Sequence, residues 1–138
     1  MNILFDADVI LDVVLDREPH EISAYKLLTL VEKGYIKGWL GSGTVNTLYF
    51  FMSNELEQKW VQRHILEILE MFQIIPVTNL ILEKAVKSNI RDFEDAVLGS
   101  AADEQGLDYI VTRNADGFKK CNVPVYRPEE LLSILESL

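Results

Sequence analysis

The sequence predicts a three-layer α/β/α sandwich with a central, mostly parallel sheet of four to five strands. Short apolar segments, such as Asn2-Ile3-Leu4-Phe5, alternate along the chain with longer segments of helical periodicity. Strands separated by helices need crossover connections, which favour parallel pairing and helices on both faces of the sheet. A length of 138 residues suits one domain with one core, so we expect a single domain over residues 1–138.

The first half of the chain alternates in this way up to Phe72. Asp8 is a residue type that caps helices, and Pro19 prevents the helix that begins at Asp8 from continuing. Gly34 ends the next helix, in which apolar residues recur at a spacing that buries one face. The elements predicted in order are a strand at residues 2–5, helices at 8–15 and 21–33, a strand at 36–40, a helix from Thr44, and a helix at 55–72.

The second half continues the alternation. Asp92 and Asp95 have the spacing of a capping box at a helix start, and Pro128 fits the first position of a closing helix. Pro124 confines the last apolar segment to an edge of the sheet, because proline has no amide donor. The predicted elements are strands at residues 74–77 and 109–112, a possible edge strand at 123–125, and helices at 80–87, 92–105 and 129–138.

The composition indicates a compact, soluble protein. The net charge of −9 argues against a general nucleic-acid coat protein, because affinity for phosphates comes mainly from clustered Lys and Arg. The chain has neither a long apolar run nor an N-terminal secretory signal, so we expect no membrane partner. Its single cysteine, Cys121, cannot form an internal disulfide and fits a reducing compartment. We therefore expect a cytoplasmic location.

Acidic and amide side chains follow two predicted strands and open one helix. Asp6 follows the first strand, Asp95 lies at the start of a helix, and Asn114 and Asp116 follow the strand at 109–112. The carboxyl ends of parallel strands meet at one edge of a sheet, where open α/β folds bind their ligands. Because hard divalent cations prefer converging oxygen ligands, the pattern predicts a Mg²⁺ or Mn²⁺ site.

Several acids have a structural alternative. Asp8 and Asp92 are suited to capping a helix, and Asp12 to an exposed helix face. Glu94 suits solvent and the rim of a site equally, and Asp116 belongs to an Asp-Gly dipeptide that is common in turns. These alternatives stay open at the level of the sequence.

Basic residues flank the two later acidic segments. Such a group can bind phosphate locally even in an acidic protein, because local potentials differ from the summed charge. Ordinary solvated surface charge is the alternative. The residues are Lys84, Lys87, Arg91, Lys119, Lys120 and Arg113, the last being the predicted phosphate contact.

Three motifs, in this order, resemble those of the PIN domain family. Residues 3–12, Ile-Leu-Phe-Asp-Ala-Asp-Val-Ile-Leu-Asp, resemble its opening motif, and residues 92–96, Asp-Phe-Glu-Asp-Ala, its central acidic helix start. Thr112-Arg113-Asn114 followed by Phe118 resembles its C-terminal motif. With the tail at residues 128–132, the resemblance covers essentially the whole chain.

The resemblance implies a PIN-like sandwich and a metal-dependent endoribonuclease, with VapC-type toxins of toxin–antitoxin pairs among the relatives. RNA is the implied substrate and an antitoxin protein a possible partner. It implies that Asp6, Asp95 and Asp116 are catalytic and that Asn114 joins them around Mg²⁺ or Mn²⁺. The side chains expected just outside the metal ligands are Asp8, Asp12, Thr44, Thr47, Asp92 and Glu94.

Two departures from the family pattern remove acids. The family usually has a Glu near the start of the third helix, where this chain has Thr47 or, in the other register, Asn46. It often has an Asp before the Phe of the last motif, where this chain has Gly117. A site with fewer carboxylates favours one hydrated cation over two. A catalytically weak or inactive PIN module that binds RNA or a partner protein is therefore the second interpretation.

A third interpretation is a haloacid-dehalogenase-like phosphatase, because Phe5-Asp6-Ala7-Asp8 resembles the nucleophile motif of that family. Such an enzyme also needs a lysine and a further acidic pair downstream, usually in a longer chain.

The run Tyr49-Phe50-Phe51-Met52, followed by Trp60, bears on assembly. It exceeds what one helix face easily buries, which indicates a homodimer, with a role in the core as the alternative.

Overall fold

In the computed structural model, which describes residues 1–138, five strands form one sheet in the order β3-β2-β1-β4-β5. All four pairings are parallel, which confirms the predicted fold class. The strands are β1 (Asn2–Phe5), β2 (Lys37–Gly41), β3 (Gln73–Ile75), β4 (Tyr109–Val111) and β5 (Val125–Tyr126).

Helices cover both faces of the sheet. Successive side chains of the central strand, β1, point to opposite faces and so reach both layers of helices. Ile3 and Phe5 join the apolar core on one face, and Leu4 joins the core on the other. None of the helices is both long enough and apolar enough to cross a membrane. The first face carries α1 (Ala7–Val14), α2 (Glu21–Glu32), α3 (Ser42–Glu55), α4 (Gln58–Met71) and α7 (Pro128–Glu136), and the second carries α5 (Asn79–Lys87) and α6 (Phe93–Gln105).

Several predicted boundaries need correction. The helix predicted at 55–72 begins only at Gln58, because Leu56 and Glu57 are extended and separate it from α3. The helix predicted from Thr44 begins earlier, at Ser42. The edge strand predicted at 123–125 is displaced to β5, where the carbonyls of Pro124 and Tyr126 accept the amides of β4 and Thr112.

A close approach of β2 to the end of α4 requires glycine at position 38. A Cβ atom there would lie 2.5 Å from the ring of Phe72. That ring also packs edge-on against Phe5, with 5.2 Å between the ring centroids. The aromatic pair therefore links β2, β1 and the α4–β3 connection beneath the carboxyl edge of the sheet.

Candidate functional site

The candidate site lies where β1 and β4 end side by side. The chain proceeds outward from β1 through β2 to β3 on one side, and from β4 to β5 on the other. The register pairs Phe5 with Val111, so Asp6 and Thr112 are the next residues on neighbouring strands. Open α/β sheets bind ligands in the crevice at such a reversal of strand order.

Asp6 is held at this junction by two hydrogen bonds. It is the N-cap of α1, and its Oδ1 accepts from the amide of Ala7 at 2.8 Å. Its Oδ2 accepts from the hydroxyl of Thr112, also at 2.8 Å. Thr112 is fully buried and is not among the predicted site residues, although it follows β4 as Asp6 follows β1. That shared position after a strand is the signal that would have identified it.

Asp8 is not the helix cap, so that prediction is wrong. The cap of this helix is Asp6, two residues earlier, which places Asp8 in the first turn. The Asp8 carboxylate instead accepts from the backbone amide of Arg113 at 3.3 and 3.4 Å. It therefore fastens the start of α1 to the segment after β4.

Asp12 is fully buried, so the alternative of an exposed helix acid is wrong. Its carboxylate accepts a forked pair of hydrogen bonds from the guanidinium of Arg113, at 2.7 and 3.1 Å, and Arg17 lies 3.9 Å away. A bidentate pair of this kind fixes orientation. Asp12 therefore positions Arg113 and, through the backbone, the neighbouring Thr112. Phosphate contact by Arg113 stays a prediction.

Asp95 reaches the crevice from α6. Asp92 caps this helix by accepting from the Asp95 amide at 3.1 Å, as its structural alternative predicts. The side chain of Asp95 is buried, with the residue 8% exposed. The side-chain amide of Asn114 donates to its Oδ2 at 3.5 Å, which joins the segment after β4 to α6.

Asp6 and Asp95 line a common cavity of about 190 Å³, which we call the acidic cleft. Side chains from α3 and α6 complete it, and no lysine or arginine lines it. The predicted outer residues Asp8, Asp12 and Asp92 do not line the cleft, whereas Thr44, Thr47 and Glu94 do. Its polar side chains are Asp6, Thr44, Thr47, Glu94 and Asp95.

Thr47, and not Asn46, faces the acidic cleft. The Thr47 hydroxyl donates to Oε1 of Glu94 at 3.3 Å, whereas Asn46 is exposed and lies outside the lining. Of the two residues that the sequence leaves open, Thr47 is therefore the one that lines the acidic cleft, and its correspondence to the family's Glu stays a prediction. The carboxylate of Glu94 lies beside Thr47, the residue predicted to stand where the resembled family has a Glu.

A second depression of about 560 Å³, the polar groove, is also lined by Asp95 but not by Asp6. It contains Asp116, whose side chain is 75% exposed and lies 3.9 Å from Arg127. The structure thus brings Asp6 and Asp95 into one cleft and leaves Asp116 outside it. A metal-binding role for Asp116 and Asn114 stays a prediction.

Gly117 occupies the position of the second missing acid. A Cβ atom there would lie 2.5 Å from Nδ2 of Asn114 and 2.6 Å from Oδ2 of Asp95. The contact between Asn114 and Asp95 therefore fills the space that a side chain at position 117 would need. The absence of an acid at position 117 is therefore structurally linked to the contact between Asn114 and Asp95.

Burial and mutual repulsion raise the pKa of the clustered aspartates. Burial is the main cause of the rise in the pKa of Asp95 to about 7, and Asp92, Asp6 and Glu94 add repulsion. Burial, followed by repulsion from Asp6, raises the pKa of Asp8 to about 6. The pKa of Asp6 is also raised, chiefly by burial.

We expect the metal-free protein to become more stable as the pH falls from about 8 to about 6. Between the ordinary aspartate pKa of 3.8 and the raised values, the folded state binds more protons than the unfolded state. The free energy of unfolding therefore decreases as the pH rises. Thermal unfolding in a chelator at both pH values measures the effect, and Asp95→Asn should reduce it. A higher melting temperature at the upper pH would contradict this expectation.

The donor set of the acidic cleft fits a hard divalent cation. Its carboxylate and hydroxyl oxygens are the ligands that such ions prefer, and a cation would offset the repulsion between Asp6 and Asp95. No group of three or more Asp, Glu, His or Cys residues is arranged to hold an ion. Mg²⁺ is usually held by one or two carboxylates together with several waters, and Asp6 and Asp95 can supply these carboxylates.

Comparison with known proteins identifies a family and a fold. A family model described as a PIN domain matches residues 2–116. No curated protein matches the chain in sequence. Among solved structures, VapBC2 from Rickettsia felis bound to a DNA fragment from its promoter is similar, with a TM-score of 0.71 and 17% identity over 92% of this chain and 98% of that chain.

Two further solved structures have the same fold. A toxin–antitoxin complex from Klebsiella pneumoniae is similar with a TM-score of 0.68 and 22% identity, over 91% of this chain and 96% of that chain. VapC20 from Mycobacterium tuberculosis, described as a toxin that cleaves the sarcin–ricin loop, has a TM-score of 0.63 and 12% identity, over 78% and 86%. These likenesses establish the arrangement of the strands and helices.

Proposed function

This chain belongs to the PIN domain family, and on that basis we propose that it is a metal-dependent endoribonuclease of the PIN type. The observation that carries the proposal is the acidic cleft. Asp6 and Asp95 share it at the reversal of strand order, without a basic side chain to neutralise them. VapC20, which has the same fold, is described as cleaving RNA of the sarcin–ricin loop. The family match gives no support to the phosphatase alternative.

Asp6 and Asp95 would hold Mg²⁺ or Mn²⁺, which when bound polarises a phosphoryl oxygen and lowers the pKa of a water molecule. The other residues keep these two carboxylates in place. The Ala7 amide and the Thr112 hydroxyl each hold one oxygen of Asp6, and Asn114 contacts Asp95. Held ligands need little reorganisation when a cation binds, which favours catalysis.

Cleavage of single-stranded RNA by the purified protein tests this proposal. We expect cleavage with Mn²⁺ or Mg²⁺ and none in excess chelator. The cation should also raise the melting temperature, because it binds only the folded state. Intact RNA at a cation concentration that raises the melting temperature would overturn the nuclease proposal in favour of a module that binds without cleaving.

Thr47→Glu is expected to tighten Mn²⁺ binding about tenfold and to increase cleavage, because it adds a carboxylate to the acidic cleft. Without metal it should lower the melting temperature, since the new carboxylate lies beside Glu94. Asn46→Glu is the matched control, because that residue is exposed outside the cleft. Calorimetric titration with Mn²⁺ measures the affinities, and equal behaviour of the two variants would contradict the expectation.

The proposal extends to a cytoplasmic toxin with an antitoxin partner, and its support is the fold shared with the toxin–antitoxin complex from Klebsiella pneumoniae. An antitoxin Arg could pair bidentately with Asp6 or Asp95 and exclude the cation.

A homodimer is also part of the proposal. Tyr49, Phe50 and Phe51 of α3 remain 39%, 60% and 42% exposed, and a second copy could cover them. Sedimentation equilibrium tests that assembly.

A further inference from the structure

We propose that single-stranded RNA crosses the site with its phosphates on a cationic wall and one unstacked base on an exposed aromatic ring. The wall consists of Arg91, Lys119 and Lys120, and the ring is that of Phe93. The inference rests on the proposed function and adds the path of the substrate.

The three cations of the wall line the polar groove beside Asp95, and none of them forms an ion pair. Two other basic residues of the flanking group and its surroundings are already engaged, since Lys84 contacts Glu104 and Arg127 contacts Asp116. Asp92, Asp95 and Asp116 line the same groove, but none of them lies within salt-bridge distance of the three cations, whose charged groups are therefore free to contact an anionic ligand. Along a phosphodiester chain the charges repeat, so one ligand contacts several cations.

Phe93 lies in the other cavity that Asp95 lines. It is the first residue of α6, it is 52% exposed, and it lines the acidic cleft together with Val77 and Val97. Nucleobases stack on exposed aromatic rings in proteins that bind single strands. A flat base on Phe93 would cover apolar surface that this protein leaves in contact with water.

Asp95 lies at the junction, because it lines both the acidic cleft and the polar groove. A strand with its backbone on the wall and one base on Phe93 therefore places a phosphodiester beside Asp95. In a duplex that base stays stacked between its neighbours, so the geometry selects a single strand. An acidic peptide could satisfy the wall, but it has no base to occupy Phe93.

Fluorescence anisotropy of a short labelled RNA tests the path, with the protein in EDTA so that no divalent ion supports hydrolysis. The variant Arg91→Ala/Lys119→Ala/Lys120→Ala should reduce the slope of log K against log salt concentration by about 2, because each phosphate contact of a single strand contributes about 0.7. Phe93→Ala should weaken binding about tenfold with the slope unchanged, because stacking does not depend on counterions.

The matched control removes three unpaired lysines at the opposite, amino-terminal edge of the sheet: Lys26→Ala/Lys33→Ala/Lys37→Ala. An equal loss of slope in this control would mean that only net charge matters and would overturn the wall. Unchanged affinity in Phe93→Ala would overturn the stacking site. Equal affinity for a duplex, equal competition by an acidic peptide, or no RNA binding by the wild type would overturn the path.

These measurements do not depend on hydrolysis. A protein that binds as expected and never cleaves RNA with Mn²⁺ or Mg²⁺ refutes the proposed function and leaves the path standing. A protein that cleaves RNA while the wall variant behaves like the lysine control refutes the path alone.

Discussion

Asp95→Asn is expected to lower metal-dependent RNA cleavage by more than about a hundredfold. Asparagine keeps the size of the side chain but removes the charge that attracts the cation. Loss of a partner that only orients a metal ligand costs about 10- to 100-fold in affinity or activity, so loss of a ligand should cost more. Single-turnover cleavage rates in saturating Mn²⁺ measure the effect.

The same variant should not lose stability, which separates this effect from unfolding. At neutral pH the Asp95 carboxylate is buried and repelled by Asp92, Asp6 and Glu94, so we expect the metal-free melting temperature to rise. The increase that Mn²⁺ causes in the wild type should disappear. The matched control is Asp103→Asn, an exposed aspartate later on the same helix that accepts from Asn122. Full activity of Asp95→Asn, or an equal loss in the control, would place the cation elsewhere.

Asp12→Ala is expected to destabilise the protein by about 3 kcal/mol, because it leaves the guanidinium of Arg113 without its partner. Removing one member of a buried ion pair typically costs about 3–5 kcal/mol. We expect the lower end because the Arg113 side chain is 33% exposed and water can partly solvate it. Unfolding in urea measures the loss, and Asp103→Ala should stay within about 0.5 kcal/mol of the wild type.

A double variant separates the charge from the packing. Asp12→Leu/Arg113→Met replaces both charged groups by apolar ones and should recover most of the stability, because no uncompensated charge remains. The variant Arg113→Ala retains Asp12 without its partner. If it were as stable as the wild type, that result would contradict a stabilising pair at this position. Asp12→Asn should also lower cleavage about tenfold, since Arg113 and Thr112 are then held less firmly.

The sheet could be predicted from the sequence because its signals are local. The apolar segments that become β1 and β4 are short and are followed directly by polar residues. The same local signal identified Asp6, and the start of a helix identified Asp95. Both line the acidic cleft, as expected for side chains that follow strand ends or begin helices at one edge.

The features that the sequence did not reveal depend on distant contacts. Asp12 has the pattern of a surface helix acid, and its burial follows from Arg113, 101 positions later. The crowding around Gly117 depends on Asp95, from another element. The assignment of Asp8 as the cap failed for a different reason, because the helix starts two residues earlier than a cap at Asp8 requires, which transfers the cap to Asp6.

The hydrogen bond between Thr112 and Asp6 joins residues 106 positions apart and has a consequence during protein synthesis. β1 leaves the ribosome before β4 and receives it as a neighbour only after the segment between the two strands has been made. Pairings between distant segments form late in folding. The hydrogen bond that holds Asp6 is therefore absent from the nascent chain until β4 and Thr112 have been made. We expect a product of translation interrupted before Thr112 to lack the proposed ribonuclease activity.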